Sequence, residues 1–287
     1  MKQGLFVGLM TLDYLYQAEH PPAANEKVVA LQAAVAAGGP ATNAAVAFSQ
    51  LGGQATVMGK LGQHPIASLI KADLAQWQVE VNDLATGQDL PPPVSSIVVT
   101  QATGDRAVIS HNAVGRQAEA PNLAELACDV VLIDGHQMQV GSAIAALARS
   151  QHIPVVVDAG SWKPGFEQVL TQADVVIASA SFQPPDRSKP MAYLESLDIP
   201  QIAITHGAQP VIVSHRGIRS QLLVPSAAVV DTLGAGDIFH GAFCWFYPEQ
   251  SFTAALAAAG RVAAFACQFF GTRAWITPYH RQIGHKD

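Results

Sequence analysis

Charge is sparse in this sequence: 13% of its 287 residues are Asp, Glu, Lys or Arg. The 22 acidic residues outnumber the 16 basic ones, for a formal net charge of −6. With no Lys/Arg cluster in the chain, nucleic acid and anionic membranes are disfavoured as partners. Cysteine is scarce as well. Cys128, Cys244 and Cys267 lie far apart in apolar stretches, as buried small hydrophobes of a reducing compartment do, not as a disulfide framework. His, Cys, Asp and Glu show no spacing that predicts a fixed metal cage, so no metal ligands are assigned. Several nucleotide signatures are missing. There is no G-x-x-x-x-G-K-[ST] loop, no G-x-G-x-x-G after the first strand, and no protein-kinase catalytic triplet. No apolar run is long enough to span a membrane, and the Ala-rich stretch 253–270 carries Arg261 and Gln268 and reads as a buried helix. Asp13 interrupts the apolar N-terminus before any cleavage-site pattern. Residues 4–10 therefore read as a first core strand and the expected location is the cytoplasm.

What is present is apolar: 49% of the residues are hydrophobic. That length and composition suit one large α/β domain, with or without a small appendage, and a sizeable core. From 130 onward the pattern is regular. Strands are expected at 130–134, 155–158, 175–178 and 202–205, and helices at 140–151, 166–171 and 191–196. Apolar strands without period-2 alternation, separated by helices, indicate a parallel sheet covered on both faces. A hairpin is expected at 211–214 and 220–224 around Arg216-Gly217. Two extended regions, near 14–37 and 91–111, do not fit the parallel scheme and predict a small separate β element. Residues 41–51 read as a small-residue helix closed by Gly52-Gly53. The polar tail 280–287 reads as frayed.

The chain is organised around Asp231-Thr232-Leu233-Gly234-Ala235-Gly236-Asp237, a small-residue loop turning into a helix. Glycines let the backbone approach a ligand and take positive φ. A helix start aims free N–H groups and the positive dipole end at one spot, where an anion such as phosphate fits. Two readings stay open on these residues alone. In one, Asp237 is the base of a phosphoryl-transfer site; in the other, it is a helix-start residue favoured by the dipole.

Gly38-Gly39-Pro40-Ala41-Thr42-Asn43 is a second loop at a helix start. With Asp13 it either binds polyol hydroxyls or merely caps the helix. Thr205-His206-Gly207 follows a strand and either floors a nucleotide pocket or makes an ordinary turn. Lys163 is either a phosphate contact or a solvated loop lysine. Ligands in open α/β sheets sit at the carboxyl ends of strands. Asp13, Gly135-His136, Asp158, Ser179, Thr205 and the 231–237 loop are all expected there.

These motifs resemble the PfkB (ribokinase-like) carbohydrate kinase family. The carriers are Asp231-Thr232-x-Gly234-Ala235-Gly236-Asp237-x-Phe239-x-Gly241-Ala242, Gly38-Gly39-Pro40-Ala41-x-Asn43, Asp13 and Thr205-x-Gly207. Gly104-Asp105-Arg106 and Lys163-Pro164 resemble the ketohexokinase-like branch. The resemblance implies a single ribokinase-like domain over 1–287. Its fold is α/β, a three-layer sandwich with a mostly parallel central sheet, plus a small β-sheet lid from the segments near 14–37 and 91–111. It implies ATP-dependent phosphorylation of a small sugar, with Mg2+ on the ATP phosphates. By the same resemblance Asp237 is the general base and Gly234, Ala235 and Gly236 form the anion hole. Asp13, Gly38, Gly39, Asn43 and Arg106 are implied to bind substrate. Lys163, Ser179, Thr205 and Gly207 are implied to line the nucleotide site. A lid that pairs with a second copy would give a homodimer, although no residue requires it.

The chain departs from the family pattern in three places. Ser179-Ala180-Ser181-Phe182 stands where many members carry Asn-x-x-Glu near Mg2+. Pro40 replaces a common Asn, and Ala208 follows Gly207 where a second glycine is usual. The alternatives are a nucleoside or phosphosugar kinase of the same fold, or a catalytically silent sugar- or nucleotide-binding regulator.

Overall fold

The computed structural model describes residues 1–111 and 115–284. In chain order the first elements are β1 (Gln3–Val7), β2 (Thr11–Ala18), β3 (Gln32–Gly38), α1 (Pro40–Gln50), β4 (Gln54–Gly59), α2 (Pro65–Gln76) and β5 (Val79–Asp83). Next come β6 (Val94–Thr100), β7 (Arg106–Ser110), β8 (Val130–Ile133), α3 (Met138–Ser150), β9 (Val155–Ala159), α4 (Phe166–Leu170) and β10 (Val175–Ser179). The last are α5 (Pro190–Ser196), β11 (Gln201–His206), β12 (Gln209–His215), β13 (Ile218–Leu222), α6 (Ala235–Phe246), α7 (Phe252–Ala266) and α8 (Ile276–Gln282).

A nine-stranded sheet runs in the order β13-β12-β11-β10-β9-β8-β1-β4-β5. From β11 to β5 every pair is parallel, and β12 and β13 add an antiparallel hairpin. Val/Ile runs make this possible: β8 and the first four residues of β10 are buried throughout, as strands covered on both faces must be. One face packs against α1, α6 and α7, with Phe48, Phe243 and Leu256 in its core. The other packs against α3, α4 and α5, with Ile144, Phe166 and Leu194. Arg216 (φ 51) and Gly217 (φ 81) make the β12–β13 turn, where the positive φ favours residues like glycine. A separate four-stranded sheet, β3-β2-β6-β7, is built from the two misfit regions.

The structure corrects three expectations. The first strand ends at Val7, not Met10, and Asp13 is the third residue of β2 in the small sheet. Gly8 lies so close to the Asp134 carboxylate that a Cβ would fall 2.0 Å from its Oδ1, and the chain leaves the large sheet there. β5, which shows too few apolar residues to read as a core strand, forms the sheet edge. The C-terminal region is not frayed from His280: α8 reaches Gln282, anchored by buried Trp275 and Ile276 and by a 2.7 Å contact of His280 Nε2 with the Gln50 carbonyl. The remainder of that expectation, at 285–287, lies outside the described residues. No described helix is long and apolar enough to cross a membrane.

Candidate active site

Gly234 caps α6 with φ 68, and a Cβ there would come 2.7 Å from Thr272 Cγ2. Only glycine meets both demands without strain. Asp231 ties this loop down. It is buried, and its two oxygens accept the Leu233 and Gly271 N–H groups at 2.8 Å each. The Ala235 N–H is given to the Thr232 carbonyl at 3.2 Å. Among the described residues the Gly236 and Asp237 N–H groups have no partner, and they lie at the positive end of the α6 dipole.

Asp237 sits in the first turn of α6. Its Oδ2 accepts Asn43 Nδ2–H at 2.9 Å. Asn43 comes from the first turn of α1, and the two helices cross where Gly241 meets Ala44. A Cβ on Gly241 would be 2.1 Å from the Ala44 carbonyl oxygen, so the close crossing requires glycine there. Burial lifts the Asp237 carboxyl to about 7, with the nearby Asp158 charge adding to it, while the Asn43 hydrogen bond and His240 work against the rise. A carboxyl raised into this range has the affinity a proton acceptor needs near neutrality.

Asp13 faces the same place from the small sheet. Burial raises its carboxyl to about 6, against the Ser95 hydrogen bond and Arg273. Its Oδ1 is buried with no hydrogen-bond partner among the described residues, which an acceptor awaiting a ligand hydroxyl would show. Gly38 makes room for it: a Cβ there would fall 1.8 Å from Asp13 Oδ2. Gly39, with φ 101, caps α1 against the Leu9 carbonyl.

Two residues that sequence reasoning missed hold this arrangement. Arg273 donates from Nη1 to Asn43 Oδ1 at 3.0 Å, and from Nη2 to the Ala37 carbonyl at 2.7 Å and Asp73 Oδ2 at 3.1 Å. It lies just beyond α7 in a segment with no motif around it, so no local signal marks it. Asp134 is fully buried after β8 and accepts the N–H groups of Leu9 (2.9 Å), Ala41 (3.1 Å) and His136 (2.9 Å). Burial would raise its carboxyl, but the His136 ring and these donors prevail and hold it at about 2. Its place at a strand end was the available signal.

The other expected residues fall into separate groups. Arg106 opens β7 and donates from Nη1 to Thr232 Oγ1 at 2.9 Å, joining the small sheet to the central loop. Ser179 and Thr205 are register partners on β10 and β11, and Gly207 takes φ 60 in the following turn. Lys163 is turned inward: its ammonium contacts the Asp134 carbonyl at 3.4 Å and the Ser161 carbonyl and hydroxyl at 3.2 and 3.3 Å. Among the described residues no group of three or more His, Cys, Asp or Glu side chains is placed to hold a metal ion.

Comparison with known proteins bears on the family and the fold. The ribokinase of Bacillus subtilis (strain 168) is 26% identical over 287 residues, 95% of each chain. The ketohexokinase of Mus musculus is 27% identical over 263 residues, 83% of this chain and 87% of its own. The structure of Arabidopsis thaliana ribokinase complexed with ribose and ATP superposes with a TM-score of 0.75 at 21% identity, covering 94% of this chain and 93% of that one. The model of the pfkB family carbohydrate kinases matches residues 1–278, and the chain belongs to that family.

Proposed function

We propose that the protein transfers the terminal phosphoryl group of ATP to a hydroxyl of a small sugar, a ketose, pentose or sugar acid. The observation that carries this reading is Asp237, a carboxyl lifted to about 7 and oriented by Asn43 at a helix start with two N–H groups that have no partner among the described residues. The relatives named ribokinase and ketohexokinase support the same class of acceptor.

In this mechanism Asp13 and Asn43 hold the sugar, with Gly38 and Gly39 leaving room for it. Asp237 takes the acceptor hydroxyl proton as that oxygen bonds to the γ-phosphorus, and the bond to the β-phosphate oxygen breaks to release ADP. Phosphoryl transfer depends on positioning and charge stabilisation more than on covalent catalysis. The N–H groups of Gly236 and Asp237 meet the developing negative charge without reorganising, while the Ala235 N–H is held by the Thr232 carbonyl. Ser179, Thr205 and Gly207 stand as nucleotide-site residues. Lys163 would have to swing from its inward contacts to reach a phosphate. Mg2+ would accompany ATP, bound largely through its phosphates and water, and would neutralise phosphate charge. The small sheet acts as a lid, with Arg106 linking it to the loop at Thr232 and its closure excluding water.

The proposal extends to assembly in the cytoplasm as a homodimer through the lid. Val35 and Ile109 share a cross-strand row on its outer face and are 53% and 80% exposed. Light scattering that shows only monomer at micromolar concentration would overturn this part.

An assay of ATP consumption over a panel of ketoses, pentoses, sugar acids, nucleosides and phosphosugars tests the whole reading. Saturable turnover on one of the first three supports it. Turnover only on a nucleoside or phosphosugar moves the substrate class. Nucleotide binding without turnover on any of them would identify a silent regulator.

A further inference from the structure

A cavity opens at the carboxyl ends of β1, β4 and β5, against the segment that enters β6. Leu9 and Met10 form one of its walls. The same two residues border the sugar side: the Leu9 carbonyl lies against Gly39 and accepts the Thr42 hydroxyl at 2.8 Å, and Met10 leads through Thr11 and Leu12 to Asp13. Two cations line the cavity, Lys60 after β4 and Arg116, and no aspartate or glutamate is among its lining residues. Asp83, at the end of β5, is already committed. It accepts the Leu61, Gly62 and Ala85 N–H groups and pairs with Lys71 at 3.1 Å, which fixes the turn that carries Lys60. Gln137 fixes the other side: its Nε2 donates to the Arg116 carbonyl at 2.9 Å and its Oε1 accepts the Ala118 N–H at 2.8 Å. Arg116 Nη1 donates to the Pro91 carbonyl. Among the described residues Lys60 Nζ and the rest of the Arg116 guanidinium have no partner, and neither side chain forms an ion pair.

We propose that this cavity binds a carboxylate carried by the sugar, held by Lys60 Nζ and the unpartnered edge of the Arg116 guanidinium, so that the substrate class is a sugar acid. This rests on the phosphoryl-transfer reading above. Two cations side by side with no acid between them are unusual in a chain of net charge −6, and they leave a local excess of positive charge that an anion would neutralise. Both side chains are half-buried, so their field is screened less than at an open surface. The chemistry of the pair suits a carboxylate, since Arg offers a planar fork of donors and Lys a compact charge. Size decides between anions. The cavity holds ≈ 20 Å³ of free space, room for one or two water-sized groups. A flat carboxylate fits such a space, whereas a tetrahedral phosphate would have to push the walls apart. A phosphosugar is therefore the weaker fit.

Two matched pairs test this: 2-ketogluconate against fructose, and ribonate against ribose, in which a carboxylate replaces a hydroxymethyl or an aldehyde group. Calorimetric binding and kcat/KM are measured for the wild type, Lys60→Ala, Arg116→Gln and the double variant. The wild type should favour the acid of at least one pair by about tenfold or more, and that acid-to-neutral ratio should fall by about tenfold for each cation removed. A wild type that binds neither acid, or favours the neutral sugar in both pairs, overturns the inference without any variant. An equal loss on both members of a pair does the same, because Lys60 and Arg116 would then serve only the fold. Lys60→Met and Arg116→Met, which keep the apolar stems, replace any variant that fails to fold. Sodium acetate and inorganic phosphate are also titrated alone. A free anion that binds through Lys60 and Arg116, with no preference for acids among the sugars, would make this a separate anion site and overturn the substrate class. Acid binding that depends on both cations without phosphoryl transfer would instead remove the kinase reading and leave the carboxylate site standing.

Discussion

Arg273 decides which end of the Asn43 amide faces Asp237. Its Nη1–H occupies Asn43 Oδ1 at 3.0 Å, so the Nδ2–H group is the end left to donate to Asp237 Oδ2 at 2.9 Å. An amide without that constraint could turn its oxygen towards the carboxylate. The base is thus oriented from a distance, by a guanidinium that is itself anchored on Asp73 and the Ala37 carbonyl.

Arg273→Ala should therefore harm both stability and rate. It strands Asn43 Oδ1 and takes one donor from Asp73, which keeps the Ala37 N–H and the Trp77 indole N–H, so the loss should be about 1–3 kcal/mol. In whatever fraction remains folded, kcat should fall on the order of tenfold or more, because the base is no longer oriented. Urea denaturation and steady-state kinetics on the same preparation check both parts. Arg273→Lys, which keeps the charge but not the fork, should fall between the two.

Asp237→Asn should abolish phosphorylation and leave the fold intact, since the amide can keep the Asn43 contact and removes a carboxyl that burial disfavours. Near-normal turnover, with an unchanged circular dichroism spectrum, would rule out Asp237 as the base.

The pH dependence follows from two raised carboxyls. Asp237 must lose its proton to act, so kcat/KM should drop as pH falls through about 7. Stability runs the other way. Asp13 and Asp237 are raised above their ordinary value of 3.8, so the folded chain holds protons that the unfolded chain releases. Their contribution is complete below about 4 and is lost as pH rises through about 6 and 7. Asp134 has the opposite sign: its contribution is present above about 4 and is lost as pH falls towards 2. Asp13→Asn should accordingly raise the melting temperature at pH 8 much more than at pH 4, while weakening sugar binding. Equal shifts at both pH values would show that Asp13 titrates normally.

Gly38→Ala tests the substrate side. The new methyl would meet Asp13 Oδ2 at 1.8 Å, so the carboxylate must move. The expected result is a higher KM for the sugar, with a stability loss of about 1–3 kcal/mol from overpacking. An unchanged KM would separate Asp13 from sugar binding.

Arg106→Ala tests the link between lid and loop. Its contact with Thr232 is exposed, so stability should change by less than about 0.5 kcal/mol. Sugar affinity should weaken, and ATP hydrolysis without sugar should rise relative to productive transfer.

Much of this arrangement is legible in the amino-acid order. The Val/Ile runs of β8 to β10 announce a buried parallel sheet, and the Gly234–Gly236 loop announces a helix start open to an anion. Local signals stop there. Arg273 has no motif around it, and its neighbours at 37, 43 and 73 are brought to it only by the fold. His240 reads as one more residue of an apolar helix until its two nitrogens are found facing carbonyls. Asp13 reads as the end of the first strand, because nothing local shows that Gly8 turns the chain into a second sheet.

The short segment after α7 carries a consequence for fragments of this protein. Gly271 supplies a hydrogen bond to Asp231, Thr272 packs under Gly234, and Arg273 secures Asn43. A chain truncated after Phe269 would keep each residue that marks the family and lose all three supports at once. A premature stop there should yield a product that looks like a kinase to any motif search and cannot work as one.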